Sequence, residues 1–153
     1  AAITGFRAKE IRTLSPKCFD LDNGEPTVKV KAGYSKNRKE CDQPILRADA
    51  AWLRGWLRES SGEPPRVPKN VVNFLKRDLK AAGIEYRTES GFADFHSLRA
   101  YYIVSLWKAG VDIKLVQILA RHSSITLTMD LYCKVTGKDI REALDVLEPI
   151  KEH

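Results

Sequence analysis

Residues 95–135 read FHSLRAYYIVSLWKAGVDIKLVQILARHSSITLTMDLYCKV, and the reading of this stretch decides the fold class. It reads as helices separated by capping signals. The first is expected over His96 to Ala109, followed by Gly110 as a C′ residue, where glycine takes left-handed backbone at no steric cost. Asp112 is expected to cap a second helix through Leu119, and Ser123 or Ser124 a third that carries Tyr132. Downstream, Gly137 precedes a last amphipathic helix at about Lys138 to Leu147, with Ile140, Leu144 and Leu147 on one stripe. Upstream, residues 84–95 read as irregular, with room for a short strand.

Further upstream, Asn70 is expected to cap a helix to Ala82 that turns Val71, Phe74, Leu75 and Leu79 inward and ends at Gly83. Gly62, Pro64, Pro65 and Pro68 make Ser60 to Pro68 a loop. Ala48 to Glu59 reads as a helix with Trp52, Leu53, Trp56 and Leu57 on one face. Thr27 to Lys31 alternates and is β-branched, so it reads as a strand. Gly33 to Arg38 is a turn, and Lys39 to Ile45 returns as the partner strand, with Pro44 near its end. Residues 7–14 read as the end of a helix. The expected fold is α+β: mainly α-helical, with a small antiparallel β-sheet of two to three strands in one domain.

A chain of 153 residues suits one domain with a hydrophobic core. No apolar run approaches the roughly 20 residues that span a bilayer. The first residues show no secretory pattern. They also lack Met, and the sequence opens within what reads as a structured element, so a fragment of something longer is expected. Cys18, Cys41 and Cys133 are odd in number and widely spaced, which argues for a reducing compartment and a cytoplasmic location. A formal net charge of +6 favours a polyanionic partner such as nucleic acid.

There is no glycine-rich phosphate loop and no Cys or His pair at metal-ligand spacing, so neither metal nor cofactor is expected. The polar candidates are Arg7, Lys36, the pair His96 and Arg99, His122 and Tyr132. Each has a structural reading when taken singly. Arg7 can pair with Glu10 along a helix, Lys36 can be solvated, and Arg99 can be a salt-bridge partner. His96 can start a helix, His122 can be a loop residue, and Tyr132 can be a half-buried core tyrosine.

Their order and spacing resemble the tyrosine recombinase (phage integrase) signature. Thr4-Gly5-Phe6-Arg7-Ala8-Lys9-Glu10 is similar to the family's Thr-Gly-Leu-Arg-x-x-Glu segment. Phe95-His96-Ser97-Leu98-Arg99 is similar to its His-x-Leu-Arg box. The run from Ala109 through His122-Ser123-Ser124-Ile125-Thr126 to Met129-Asp130-Leu131-Tyr132 resembles its C-terminal part. Two departures stand beside these matches. Ala100-Tyr101 follows the box where His-Thr is frequent, and Ala120-Arg121 precedes His122 where Leu-Gly is common.

The resemblance implies a single catalytic domain over residues 1–153, without the N-terminal helical domain by which family members clamp DNA. It implies site-specific cleavage and rejoining of double-stranded DNA through a 3′-phosphotyrosyl bond, with no metal, water or nucleotide consumed. Tyr132 would be the nucleophile and His96 a proton acceptor or orienter. Arg7, Arg99 and His122 would hold the phosphate, Lys36 would protonate the leaving 5′-oxygen, and Glu10 would support Arg7. Such residues suit the chemistry: a phenol with a pKa of about 10 must lose its proton as it attacks, and guanidinium forks match the phosphoryl oxygens.

Lys29, Lys31, Arg38 and Lys39 cluster at the hairpin, Arg121 adds charge beside the site, and all five are candidate DNA contacts. The last helix either covers its own domain or docks on a neighbour, as in a tetramer of the full-length protein on paired sites. The competing readings are a non-catalytic DNA-binding relative, a truncated regulator, an unrelated basic helical domain and a type IB topoisomerase with the same chemistry.

Overall fold

The computed structural model of the protein describes residues 1–31, 40–63, 67–89 and 91–136. Lys36, Arg38, Lys39 and the expected helix at 138–147 lie outside the described residues.

The sequence around Arg7 forms only a short helix, α1 (Ala8–Ile11), in place of the longer one expected over 7–14. A 3-10 turn (Pro16–Cys18) leads into β1 (Phe19–Asp20). Two more strands, β2 (Thr27–Val30) and β3 (Cys41–Pro44), complete an antiparallel sheet in the order β1-β2-β3. Alternation turns Val28 and Val30 inward and Lys29 outward. The register pairs Val28 with Gln43 and Lys29 with Asp42.

Two helices follow, α2 (Arg47–Glu59) and α3 (Val71–Ala81). A two-stranded hairpin, β4 (Arg87–Thr88) and β5 (Gly91–Phe92), precedes α4 (Phe95–Lys108), α5 (Ile113–Ala120) and α6 (Thr126–Thr136). The caps follow local chemistry. Asn70 Oδ1 accepts from the amide of Asn73, Asp94 Oδ1 from Ser97, and Asp112 Oδ1 from Lys114 and Leu115. Gly83 and Gly110 take φ of +69° and +77° just past their helices.

Two apolar clusters result. Phe6, Ile11, Leu21, Val28, Val30, Ile45, Ala50 and Leu53 form one beneath the sheet and α2. Ile103, Val116 and Ala120 form the other, where α4, α5 and α6 pack together with Tyr102, Leu106 and Leu131 at its edge. The apolar face of α2 is only partly covered, and of the residues expected to turn inward on α3, Val71, Leu75 and Leu79 are half-buried while Phe74 is not. On α2, Leu53 is buried but Trp52 is 63% exposed. On α3 no residue is buried, and Phe74 is 43% exposed with the Arg77 guanidinium 4.7 Å from its ring centre. Amphipathic spacing shows that a helix has an apolar side, and only tertiary contact decides whether that side is covered.

Gly5 packs against Tyr102, at the edge of the second cluster. Its φ is +63°, and a Cβ there would lie 2.6 Å from Cδ1 of Tyr102. Gly5→Ala is therefore expected to destabilise the fold by about 2–4 kcal/mol, combining left-handed strain with overpacking. Urea denaturation checks this, and an unchanged midpoint would contradict the packing described.

Candidate active site

Four of the expected site residues fall within described segments that converge, although they are far apart in the chain. Arg7 is the N-cap of α1, Arg99 sits in the second turn of α4, and His96 is exposed at the start of α4. His122 follows α5 directly. The charges of Arg99, Arg7, His96 and Arg121 all act on the His122 imidazole, which places these groups in one electrostatic neighbourhood. Tyr132 lies on α6, four positions and about one helical turn after Thr128. Of Tyr132, the structure describes the backbone alone.

The arginines are held by different means. Glu10, buried at N3 of α1, accepts from the Arg7 amide at 2.7 Å and from Arg7 Nη1 at 3.2 Å. The side chain of Arg7 is 29% exposed, and among the described residues the structure records no other hydrogen bond from its guanidinium. Arg99 is 1% exposed. Its Nη1 donates to the Gly5 carbonyl and its Nη2 to the Ala120 carbonyl, so it ties the turn before α1 to the C-terminal end of α5. A cation suits that helix end, where carbonyls lack partners and the dipole is negative. Two of its five N–H donors are thus used, and its buried Nε lacks a partner among the described residues. Burial first, then the charges of Arg7 and Arg121, lowers the Arg99 guanidinium to a pKa of about 10, so it remains a cation at neutral pH.

Arg121 corrects an expectation. Far from adding surface charge for DNA, its side chain is only 10% exposed. Nη2 donates to Glu10 Oε2 at 2.7 Å and Nη1 to Gln43 Oε1 at 2.8 Å. The guanidinium lies 4.5 Å over the Phe6 ring. Its backbone is left-handed, with φ 53° and ψ 43°, a conformation that costs a non-glycine residue about 1–2 kcal/mol. Gln43 Nε2 in turn donates to the Tyr102 hydroxyl at 3.1 Å. Lys29 is also compensated locally, lying 3.5 Å from Asp42 and 3.6 Å from Glu40, and these carboxylates raise its pKa. Lys31 is exposed.

His122 is set by three bonds. Its amide donates to the Gln117 carbonyl at 3.1 Å, and its own carbonyl accepts from Gln117 Nε2 at 3.2 Å. Nδ1 lies 2.9 Å from the hydroxyl of the buried Thr128. Gln43, Tyr102, Gln117 and Thr128 were not among the expected site residues. The alternation that buries Val28 also predicts that its cross-strand partner Gln43 faces inward. Nothing local marks the other three.

Desolvation first, then the neighbouring cations, pushes the His122 imidazole down to about 4. It is therefore neutral near pH 7, and if the Thr128 hydroxyl donates to Nδ1 the ring proton sits on Nε2. In the unfolded chain the same imidazole protonates near 6.5. Stability from this group is thus fully present above about pH 6.5 and is lost as pH falls toward about 4. An NMR titration of the DNA-free protein should show a His122 midpoint near 4. A midpoint at or above the ordinary histidine value would contradict the cationic neighbourhood described.

Among the described residues no group of three or more His, Cys, Asp or Glu could hold a metal, and no helix is long and apolar enough to cross a membrane. The sequence pattern of the Phage integrase family matches residues 1–138. The chain is 26% identical to Tyrosine recombinase XerA of Pyrococcus furiosus, over 93% of this chain and 50% of that protein. In structure it is similar to XerA recombinase, with a TM-score of 0.73 and 22% identity over 98% of this chain and 55% of that one. It is also similar to XerH site-specific recombinase bound to palindromic difH substrate, with a TM-score of 0.67 and 24% identity over 95% of this chain and 43% of that one. The chain spans about half the length of the relatives it matches.

Proposed function

We propose, because this chain belongs to the phage integrase family, that it carries the catalytic centre of a site-specific DNA recombinase. The observation that supports this most is the convergence of Arg7, His96, Arg99, Arg121 and His122 in one electrostatic neighbourhood, in which the buried Glu10 carboxylate is bonded to Arg7 and Arg121. Three guanidiniums beside one carboxylate suit an anion, and a DNA phosphodiester is the anion this family handles. That XerH is bound to a difH substrate agrees with double-stranded DNA as the partner here.

The reaction is a transesterification. The Tyr132 oxygen bonds to phosphorus while the bond to the 5′-oxygen breaks, and the 3′-phosphotyrosyl ester keeps the energy for rejoining. His96, exposed at the start of α4, takes or orients the phenol proton. Arg7, with its guanidinium partly exposed, and Arg99 stabilise the charge that grows on the non-bridging oxygens. His122, neutral in the free protein, supplies a further N–H donor. Lys36 protonates the leaving 5′-oxygen. Lys31, Arg38 and Lys39 contribute phosphate contacts, and Lys29 does so to the extent that DNA competes with Asp42 and Glu40. The full-length protein works as a tetramer on paired sites, in the cytoplasm where bacterial or phage DNA lies.

A duplex nicked near the scissile position traps the covalent step. From a nicked random library, the parent chain should form a denaturation-resistant DNA adduct, and Tyr132→Phe should form none. Adducts with both chains would mean that another residue is the nucleophile. Binding without any adduct would favour a non-catalytic DNA-binding relative.

A further inference from the structure

We propose that Arg121 is a positioning residue for strand cleavage: through Glu10 it sets the guanidinium of Arg7, and through its backbone it sets His122. This rests on the catalytic reading given above. Two groups that would face the phosphate, brought in from opposite ends of the chain, are thereby fixed to each other.

The backbone is the first observation. Arg121 occupies the left-handed region, where glycine is at ease and arginine is held only by compensating contacts. Its amide donates to the Ile118 carbonyl at 2.8 Å and closes the end of α5. The very next residue is His122, so the same turn that strains Arg121 also directs the imidazole toward Thr128.

The side chain is the second. Its fork spans two elements of the N-terminal half, reaching Glu10 at 2.7 Å and Gln43 at 2.8 Å, while its face lies on Phe6. A lysine could supply the charge but not two diverging N–H bonds together with a flat face.

The carboxylate is the third. Glu10 Oε1 meets Arg7 Nη1 at 3.2 Å, while Oε2 is shared by the Arg7 amide and Arg121 Nη2, each at 2.7 Å. Because Oε2 is engaged, Glu10 touches the Arg7 guanidinium at one nitrogen only. With Arg121 removed, only the Arg7 amide still holds Oε2, and the carboxylate is freer to turn to a two-pronged hold on that guanidinium. The phosphate would then compete with Glu10 for Arg7. Arg121 thus keeps Arg7 anchored and still available.

The test uses a nicked duplex recovered by the parent chain from the random library. Single-turnover adduct formation is followed at saturating and sub-saturating DNA for the parent, Arg121→Gly and Arg121→Lys, alongside thermal melting. The expected result is folded variants that bind the duplex about as well as the parent. Both should form adduct on the order of 10- to 100-fold more slowly at saturation, as expected for displaced groups. If the glycine variant does not fold, Arg121→Lys and Arg121→Gln carry the same comparison. A lysine variant at the parent rate would show that charge alone matters and overturn the positioning role. So would a loss of rate that tracks only the fraction of unfolded protein. If the parent recovers no duplex, the catalytic reading itself fails, which separates that failure from the other two.

Discussion

The rest of the site depends on one buried carboxylate. Glu10 contributes a side chain only 2% exposed that holds both Arg7 and Arg121. Burying a carboxylate costs several kcal/mol unless its oxygens are paired, and removing one partner of such a pair typically costs about 3–5 kcal/mol. Here the pairing joins parts of the chain 111 residues apart. Glu10 also caps the first turn of α1, so the same group fixes a helix start, the Arg7 guanidinium and the end of α5.

Around this anion the cations outnumber their counter-charge. Arg7, Arg99 and Arg121 act on one another and on His122, and Glu10 is the carboxylate that offsets them at Arg99. Arg99 is held in place by backbone carbonyls, which orient the guanidinium without neutralising it. Burial first, and this imbalance after it, depresses the imidazole of His122 and lowers the guanidinium of Arg99. Like charges held together this way repel one another, and a bound anion would relieve that repulsion. The two apolar clusters on either side supply the rigidity that keeps like charges together.

Much of this could be read from the sequence where the physics is local. Asn70, Asp112, Gly83 and Gly110 each act within a turn of their own position, and each stands where the pattern put it. That Arg7, His96, Arg99 and His122 belong together was suggested by their order, and the structure brings them into one electrostatic neighbourhood. Other features were not legible because they depend on distant partners. Arg121 reads as a surface cation until Glu10 and Gln43 are seen beneath it. The apolar side of α3 looks like a core face, yet the fold covers it only in part, leaving Val71, Leu75 and Leu79 half-buried and Phe74 exposed. Strands of two residues, such as β1, β4 and β5, are too short to carry a periodic signal.

Glu10 couples the α1 segment to the turn that bears His122. Amide hydrogen exchange in a Glu10→Gln variant measures that coupling without DNA and without chemistry. The Arg121 and His122 amides, bonded to the Ile118 and Gln117 carbonyls, are the reporters. The account predicts that both exchange at least about tenfold faster in the variant, a loss of about 1.4 kcal/mol or more in local stability, while amides in β2 and β3 change less. Unaltered exchange at Arg121 and His122 would contradict it.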